Sequence, residues 1–230
     1  MKHPLFVTVG TTALTNAGIG SKNGRPNSAI REHLARFLGD PEKPARGYGP
    51  HRRLAEDLIE AHVQAWRKPE LLRNRKRYRT TSAELLSTYL GATASDFPLD
   101  GIVLLCSDTP TGKFAAEINR EVMLTLEYRR ALRPEMDFLE VQVGVIPGLD
   151  AKAANFSSAV REVVTGWAPA VEKVRINITG GYKSLAATLG IVAAQDERYR
   201  LYYLHESLDV LVYLNPRAGT GGDTAPGGDF

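Results

Sequence analysis

A short strand that leads through two glycines and a lysine into a helix limits this chain to few folds. Apolar residues alternate from 174 to 178, Gly180 and Gly181 follow, and residues 184–194 form a helical segment rich in Ala and Leu. In α/β proteins this order is typical of a phosphate site, because glycines let the backbone approach, the first helical amides are unpaired, and Lys183 adds charge. Taken alone, the segment fits a tight turn with a solvated lysine equally well, and it lacks the Walker A spacing.

Two further apolar runs end in small polar residues. Residues 5–9 lead into Gly10, Thr11 and Thr12, and residues 101–106 lead into Ser107, Asp108 and Thr109 ahead of a helix predicted over 114–130. Parallel strands that alternate with helices present such loops at one edge of the sheet, where open α/β folds bind ligands. We therefore predict one site for a phosphorylated ligand at this edge, although the last three of these residues also suit helix capping.

The whole pattern predicts an α/β protein with a Rossmann-like three-layer sandwich, a mainly parallel central sheet and a C-terminal edge hairpin. We expect a single domain over residues 1–216, with a basic helical insertion at about 20–95 and a disordered tail at 217–230. Besides those above, strands are predicted over 138–145, 200–205 and 210–214, and helices over 28–38, 52–66, 82–90 and 153–167.

Composition restricts the class of protein. The 230 residues are 43% hydrophobic and 24% charged, as in ordinary globular proteins, and the net charge of +3 mildly favours an anionic ligand. The single cysteine, Cys106, lies in an apolar run, which favours a core role and a cytoplasmic location, and we expect no contact with a membrane. The sequence has no metal-ligand spacing and no dinucleotide fingerprint after its first strand, so we expect no metal and no cofactor.

An ordered set of motifs resembles a known family. The set comprises Val9-Gly10-Thr11-Thr12, then Ser107-Asp108-Thr109 with Gly112 to Glu117, then Asn177 to Lys183, and finally residues 202–206 and 210–214. Together they are similar to the stand-alone proteins with a CRISPR-associated Rossmann fold (CARF), over about residues 3–216. Members of that group bind cyclic oligoadenylates, the messengers of type III CRISPR systems, usually as homodimers. Some of them are ring nucleases, which cleave the messenger and switch off the antiviral response.

The resemblance implies a role for each candidate residue. Gly10, Thr11 and Thr12 are expected to contact ribose or phosphate, and Lys183 to stabilise charge during cleavage. Thr11 and Thr12 are expected to orient the reacting groups, although the family often has Gly-Thr-Ser where this chain has Gly-Thr-Thr. The remaining expected ligand contacts are Ser107, Asp108, Thr109, Thr179, Gly180, Gly181, Tyr182 and Ser184. Cyclic tetra-adenylate is the expected ligand and matches a two-fold dimer.

Other interpretations stay open. A CARF protein of this kind can sense the messenger without cleaving it and regulate a separate effector or transcription. The basic segment 67–79 holds seven Arg or Lys and one Glu. It fits a solvated surface best, but it also suits a lid over the messenger or an RNA contact, which would suggest an RNA-binding protein or RNase. A nucleic acid other than the cyclic ligand is not expected, and an unrelated nucleotide-binding enzyme is disfavoured.

Overall fold

The structure is a computed structural model that describes residues 1–16, 28–39, 51–67, 81–94, 98–148, 156–167, 173–205 and 210–214. The expected tail at 217–230 lies outside these residues. The basic segment 67–79 lies outside them as well, apart from Arg67 at its start.

A six-stranded sheet forms the centre of the protein. Its strands are β1 (Pro4–Thr8), β2 (Gly101–Ser107), β3 (Glu140–Ile146), β4 (Val174–Asn177), β5 (Tyr199–His205) and β6 (Val210–Leu214). They lie in the order β3-β2-β1-β4-β5-β6, and all neighbouring pairs are parallel except the antiparallel hairpin of β5 and β6. This confirms the predicted α/β class, the mainly parallel sheet and the C-terminal hairpin at its edge.

Helices cover both faces of the sheet. They are α1 (Thr12–Thr15), α2 (Ser28–Gly39), α3 (Arg52–Trp66), α4 (Ala83–Thr93), α5 (Pro110–Met123), α6 (Leu126–Leu132), α7 (Phe156–Trp167) and α8 (Lys183–Gln195). Apolar residues of α1 to α6 share one core with Leu5, Val7 and Leu104 of the sheet. The second core joins α7 and α8 to the other face, on which Phe6 and Val103 lie. The helices of the predicted insertion, α2 to α4, therefore belong to the main core.

The prediction of one helix over 114–130 was wrong. The helix begins earlier, at Pro110, because the Thr109 hydroxyl accepts a hydrogen bond from the Gly112 amide and proline suits the first helical position. It ends at Met123, and α6 begins after Thr125, whose hydroxyl donates to the Val122 carbonyl at 2.6 Å and caps the new helix. A threonine that caps its own helix in this way competes with continuation of the preceding one.

The position of β1 determines where the strand order of the sheet reverses. β1 pairs with β2 on one side, where Thr8 lies opposite Leu105, and with β4 on the other, where Val7 lies opposite Asn177. The strand order therefore reverses between β1 and β4. In open α/β sheets this switch point leaves a crevice beyond the carboxyl ends of the strands, and ligands bind there. In the described part of the chain no helix is both long and apolar enough to cross a membrane.

Candidate functional site

The loops that follow β1 and β4 touch through glycines. A Cβ atom added to Gly10 would lie 2.8 Å from the backbone nitrogen of Gly181, and one added to Gly180 would lie 2.8 Å from the carbonyl oxygen of Thr8. Gly181 also has φ of +84°, a backbone conformation that residues with a side chain rarely adopt. Each of the three glycines is therefore required by its geometry. The sequence pattern predicted such a close backbone approach for Gly180 and Gly181.

Hydrogen bonds fix the β4 loop to its surroundings. The Thr8 hydroxyl donates to the Gly180 carbonyl at 2.5 Å, which ties the end of β1 to this loop. The buried Asn177 side chain accepts from the Thr179 amide at 3.1 Å and from its hydroxyl at 2.6 Å, and its own amide donates to the Ser87 hydroxyl at 2.7 Å. The Thr179 hydroxyl also accepts from the backbone of β5. Thr179 thus stabilises the β4 loop through hydrogen bonds within the protein.

A buried carboxyl lies directly beneath the two loops. Glu84, in the first turn of α4, is fully buried. One of its oxygens, Oε1, accepts a 2.7 Å hydrogen bond from the Gly10 amide, and the other, Oε2, accepts a short one from the Thr12 hydroxyl. The carboxyl also packs against the α-carbon of Gly180, where a Cβ would overlap it. Burial raises the pKa of Glu84, and the hydrogen bonds from Thr12 and Gly10 partly oppose that effect.

Sequence reasoning missed Glu84, which lay in the presumed insertion. The only signal was local: α4 reads AELLSTYLGAT and contains no other charged residue. A lone charge in a helix that is otherwise apolar or uncharged is either exposed at the helix end or buried with hydrogen-bond partners. Here it is buried, and Ser82 forms the cap by accepting from the Leu85 amide at 3.0 Å.

Thr12 and Thr11 face different surroundings. The Thr12 hydroxyl donates to Glu84 and accepts from the Ala83 amide at 3.1 Å, so it joins the β1 loop to the start of α4. Thr11 is exposed, and its carbonyl accepts from the Leu14 amide in the short helix α1. Of the two threonines, Thr11 has the more accessible side chain.

A neutral histidine stabilises the helix α1 through a hydrogen bond. The Nε2 atom of the fully buried His62 donates to the Ala13 carbonyl at 2.8 Å, and Nδ1 faces the Thr81 hydroxyl at 3.4 Å. Burial lowers the pKa of His62 to about 4, with the Ala13 hydrogen bond acting in the opposite direction. The imidazole is therefore uncharged near neutral pH, and it supports the loop without adding charge to the site.

The third loop is held mainly by its own bonds. Ser107 and Thr109 share a 2.7 Å hydrogen bond between their hydroxyls, and Thr109 caps α5. Asp108 accepts from the Gly148 amide at 3.1 Å, beyond the end of β3. The capping interpretation is confirmed for Thr109, while a contact between these three residues and a ligand stays a prediction.

Two lysines follow the strand ends, each in the first turn of a helix but at different positions. Lys183 is the first residue of α8 and is exposed, as are the adjacent Tyr182 and Ser184, and Lys113 lies half-buried near the start of α5. Tyr182 makes no side-chain cap, so it does not occupy the amides at the start of α8. A lysine beside unpaired helical amides suits a phosphate. Among the described residues no group of three or more His, Cys, Asp or Glu is placed to hold a metal ion.

A comparison of the sequence with protein families gives a match over the C-terminal part of the chain. The model of a family described as CRISPR-associated protein (Cas_APE2256) matches residues 79–217, which is more than half of the chain. The matched region contains Glu84, the loop that follows β2 and the loop that follows β4, and it excludes the β1 loop. No curated protein matches the sequence.

Proposed function

The chain belongs to the CRISPR-associated protein family Cas_APE2256, and from that premise we propose that it binds a cyclic oligoadenylate and cleaves it. Cyclic tetra-adenylate is the first candidate. The observation that carries the proposal is the contact between the β1 and β4 loops at the switch point, with the exposed Lys183 directly after the glycines. Backbone amides and a lysine at such a crevice suit the phosphates of a nucleotide. Because type III CRISPR complexes make this messenger inside cells, the proposed location is the cytoplasm.

The proposed binding unit is a homodimer. A ring of four identical nucleotides can have two-fold symmetry, and so can a pair of identical protein chains. If the crevices of two chains face each other across one axis, each β4 loop holds one phosphate of the same ring and each Lys183 approaches one cleavage position. Two equivalent cuts then give two linear di-adenylates.

The proposed reaction is an attack within the ring. A ribose 2′-oxygen forms a bond to the adjacent phosphorus as its proton is lost to water, and the bond from phosphorus to the 5′-oxygen breaks. The 5′-oxygen takes up a proton, so the products carry a 2′,3′-cyclic phosphate and a 5′-hydroxyl. Alignment of the three reacting atoms and stabilisation of the phosphoryl charge are the main contributions of a protein to such a step. We assign the charge stabilisation to Lys183, and the orientation of the ribose and phosphate to Thr11 and Thr12.

A non-catalytic sensor is the second candidate, and the hydrogen bonding of the loops favours it. The hydroxyls of Thr12, Ser107 and Thr109 all bond to protein groups. A site that keeps these groups for its own architecture can hold a messenger through backbone amides and lysine without aligning it for attack. Such a protein passes the signal to a separate effector or regulator.

One incubation separates the candidates. Purified protein is mixed with labelled cyclic tetra-adenylate in excess chelator and the mixture is resolved by chromatography. Linear di-adenylate ending in a cyclic phosphate supports the proposed nuclease, and an intact ring that co-elutes with the protein supports the sensor. Absence of binding, together with salt-sensitive retention of linear RNA, would replace both with an RNA-binding protein that uses the basic segment.

A further inference from the structure

The buried carboxyl of Glu84 controls the direction of a neighbouring hydroxyl. We propose that Glu84 is a positioning residue: it draws the Thr12 hydrogen inward, so that Thr12 offers the ligand an acceptor oxygen that selects a ribose 2′-hydroxyl. The inference rests on the proposed function, because it assumes that a ribonucleotide occupies the crevice. It assigns the protein a means of distinguishing ribose from deoxyribose.

The proposal rests on the number of hydrogen bonds that the Thr12 hydroxyl can donate and accept. A threonine hydroxyl has one hydrogen to donate and two lone pairs to accept with. The hydrogen goes to the Oε2 atom of Glu84, and one lone pair accepts from the Ala83 amide at 3.1 Å. One acceptor position remains on Thr12, which is half-buried at the start of α1, directly after the β1 loop. A group that donates a hydrogen bond fits this position, and a phosphate oxygen does not.

The Gly10 amide fixes the carboxyl in this arrangement. It donates to Oε1 of Glu84 at 2.7 Å, and a backbone amide cannot act as an acceptor. The carboxyl cannot turn away, because its atoms pack against Gly180 and are fully buried. Each carboxylate oxygen of Glu84 therefore has a defined role: Oε1 holds the β1 loop, and Oε2 orients the Thr12 hydroxyl.

The substitution Glu84→Gln replaces the hydrogen-bond acceptor that faces Thr12 with a donor, and it changes the side-chain volume little. The glutamine oxygen must face the donating Gly10 amide, so its NH₂ group faces Thr12. Thr12 then accepts two hydrogen bonds, from Gln and from the Ala83 amide, and its own hydrogen turns towards the ligand. The variant thus offers the ligand a donor where the original protein offers an acceptor.

The test uses two synthetic rings that cannot be cleaved. Both are cyclic tetra-adenylates with a methylene group in place of each 5′-oxygen, and one of them has 2′-deoxyribose throughout. Binding is measured at about pH 8 and again at about pH 9, because burial raises the pKa of Glu84 above the ordinary value of a glutamate carboxyl and the inference requires the ionised carboxylate. We expect the original protein to bind the 2′-hydroxyl ring at least about tenfold more tightly than the deoxy ring, which is the scale of one hydrogen bond to an ordered acceptor. For Glu84→Gln we expect the ratio to fall below about threefold, while the deoxy ring binds as before or more tightly.

Two variants of Thr12 complete the design and keep it decisive if Glu84→Gln does not fold. Thr12→Val removes the hydroxyl and should abolish the preference for the ribose ring. Thr12→Ser keeps the hydroxyl and should retain that preference. An original protein that binds both rings equally overturns the inference and leaves the proposed function intact, as does a Glu84→Gln protein that keeps the full preference. If the original protein binds neither ring, the proposed function fails first and the inference falls with it.

Discussion

Replacing Gly180 by alanine should separate the β1 and β4 loops and destabilise the protein. The backbone of Gly180 has no positive φ, so alanine can adopt its conformation, and the cost comes from contacts. The new Cβ would lie 2.8 Å from the Thr8 carbonyl oxygen and would overlap the Glu84 carboxyl. Since a normal contact between carbon and oxygen is about 3.3–3.6 Å, the loop must shift by roughly 0.5 Å or more.

The expected decrease in the free energy of unfolding follows from these contacts. Overpacking at a tightly packed position costs about 1–3 kcal/mol, and the 2.5 Å hydrogen bond from Thr8 to the Gly180 carbonyl, worth about 1 kcal/mol, is weakened by the shift. We therefore expect the free energy of unfolding to fall by about 2–4 kcal/mol. For a chain of this length that corresponds to a decrease in Tm of roughly 10 °C.

The assay is urea denaturation with Gly190→Ala as the matched control. Gly190 lies in α8, and a Cβ there meets nothing within 4 Å, so the control should be as stable as the original protein or more stable by up to about 1 kcal/mol. Adding Glu84→Ala to Gly180→Ala removes one of the overlapping groups, so the two losses should sum to more than the loss in the double variant. A loss below about 0.5 kcal/mol for Gly180→Ala alone would refute the reasoning.

Three further predictions concern single side chains. Lys183→Ala should abolish cleavage of cyclic tetra-adenylate and weaken binding by a smaller factor, whereas Lys113→Ala should leave most of the cleavage; a Lys183→Ala protein with full activity contradicts the assignment. Burial lowers the pKa of His62 from its ordinary value of 6.5 to about 4, so the unfolded state binds the proton first as the pH falls. Lowering the pH from about 7 to about 5 should therefore cost about 2 kcal/mol of stability through this residue, and urea denaturation of His62→Gln should lack that component; an identical pH dependence would disprove it. Cys106 is buried, and burial raises the pKa of its thiol to about 12, so iodoacetamide should label it only in denaturant; rapid labelling of the folded protein would contradict its placement.

The sequence predicted those features that depend on neighbouring residues. The apolar alternation that ends at Ile178 and the two glycines after it indicated a strand and a close turn, and the structure contains both. The caps of α5 and α6 are also local, yet the break between them was missed because Thr125 lies in an otherwise helical pattern. Local patterns thus gave the type of each element more reliably than its ends.

Contacts between distant parts of the chain could not be predicted in this way. Glu84 lies far along the chain from Gly10 and farther from Gly180, and only the packing of α4 over the ends of β1 and β4 brings them together. The direction of the Thr12 hydroxyl depends on the same packing. The roles of Lys183 and of the other candidate residues in binding a ligand stay predictions, because they depend on chemistry with a second molecule.

The central place of β1 has a consequence for how the chain folds during synthesis. Pro4 pairs with Gly101 and Leu5 with Arg175, so the strand in the middle of the sheet is made first, and its second edge is covered only when β4 has been made. Closing such long loops costs entropy before the contacts form, which slows folding. Until then the growing chain carries an apolar strand with an open edge, which is a template for aggregation.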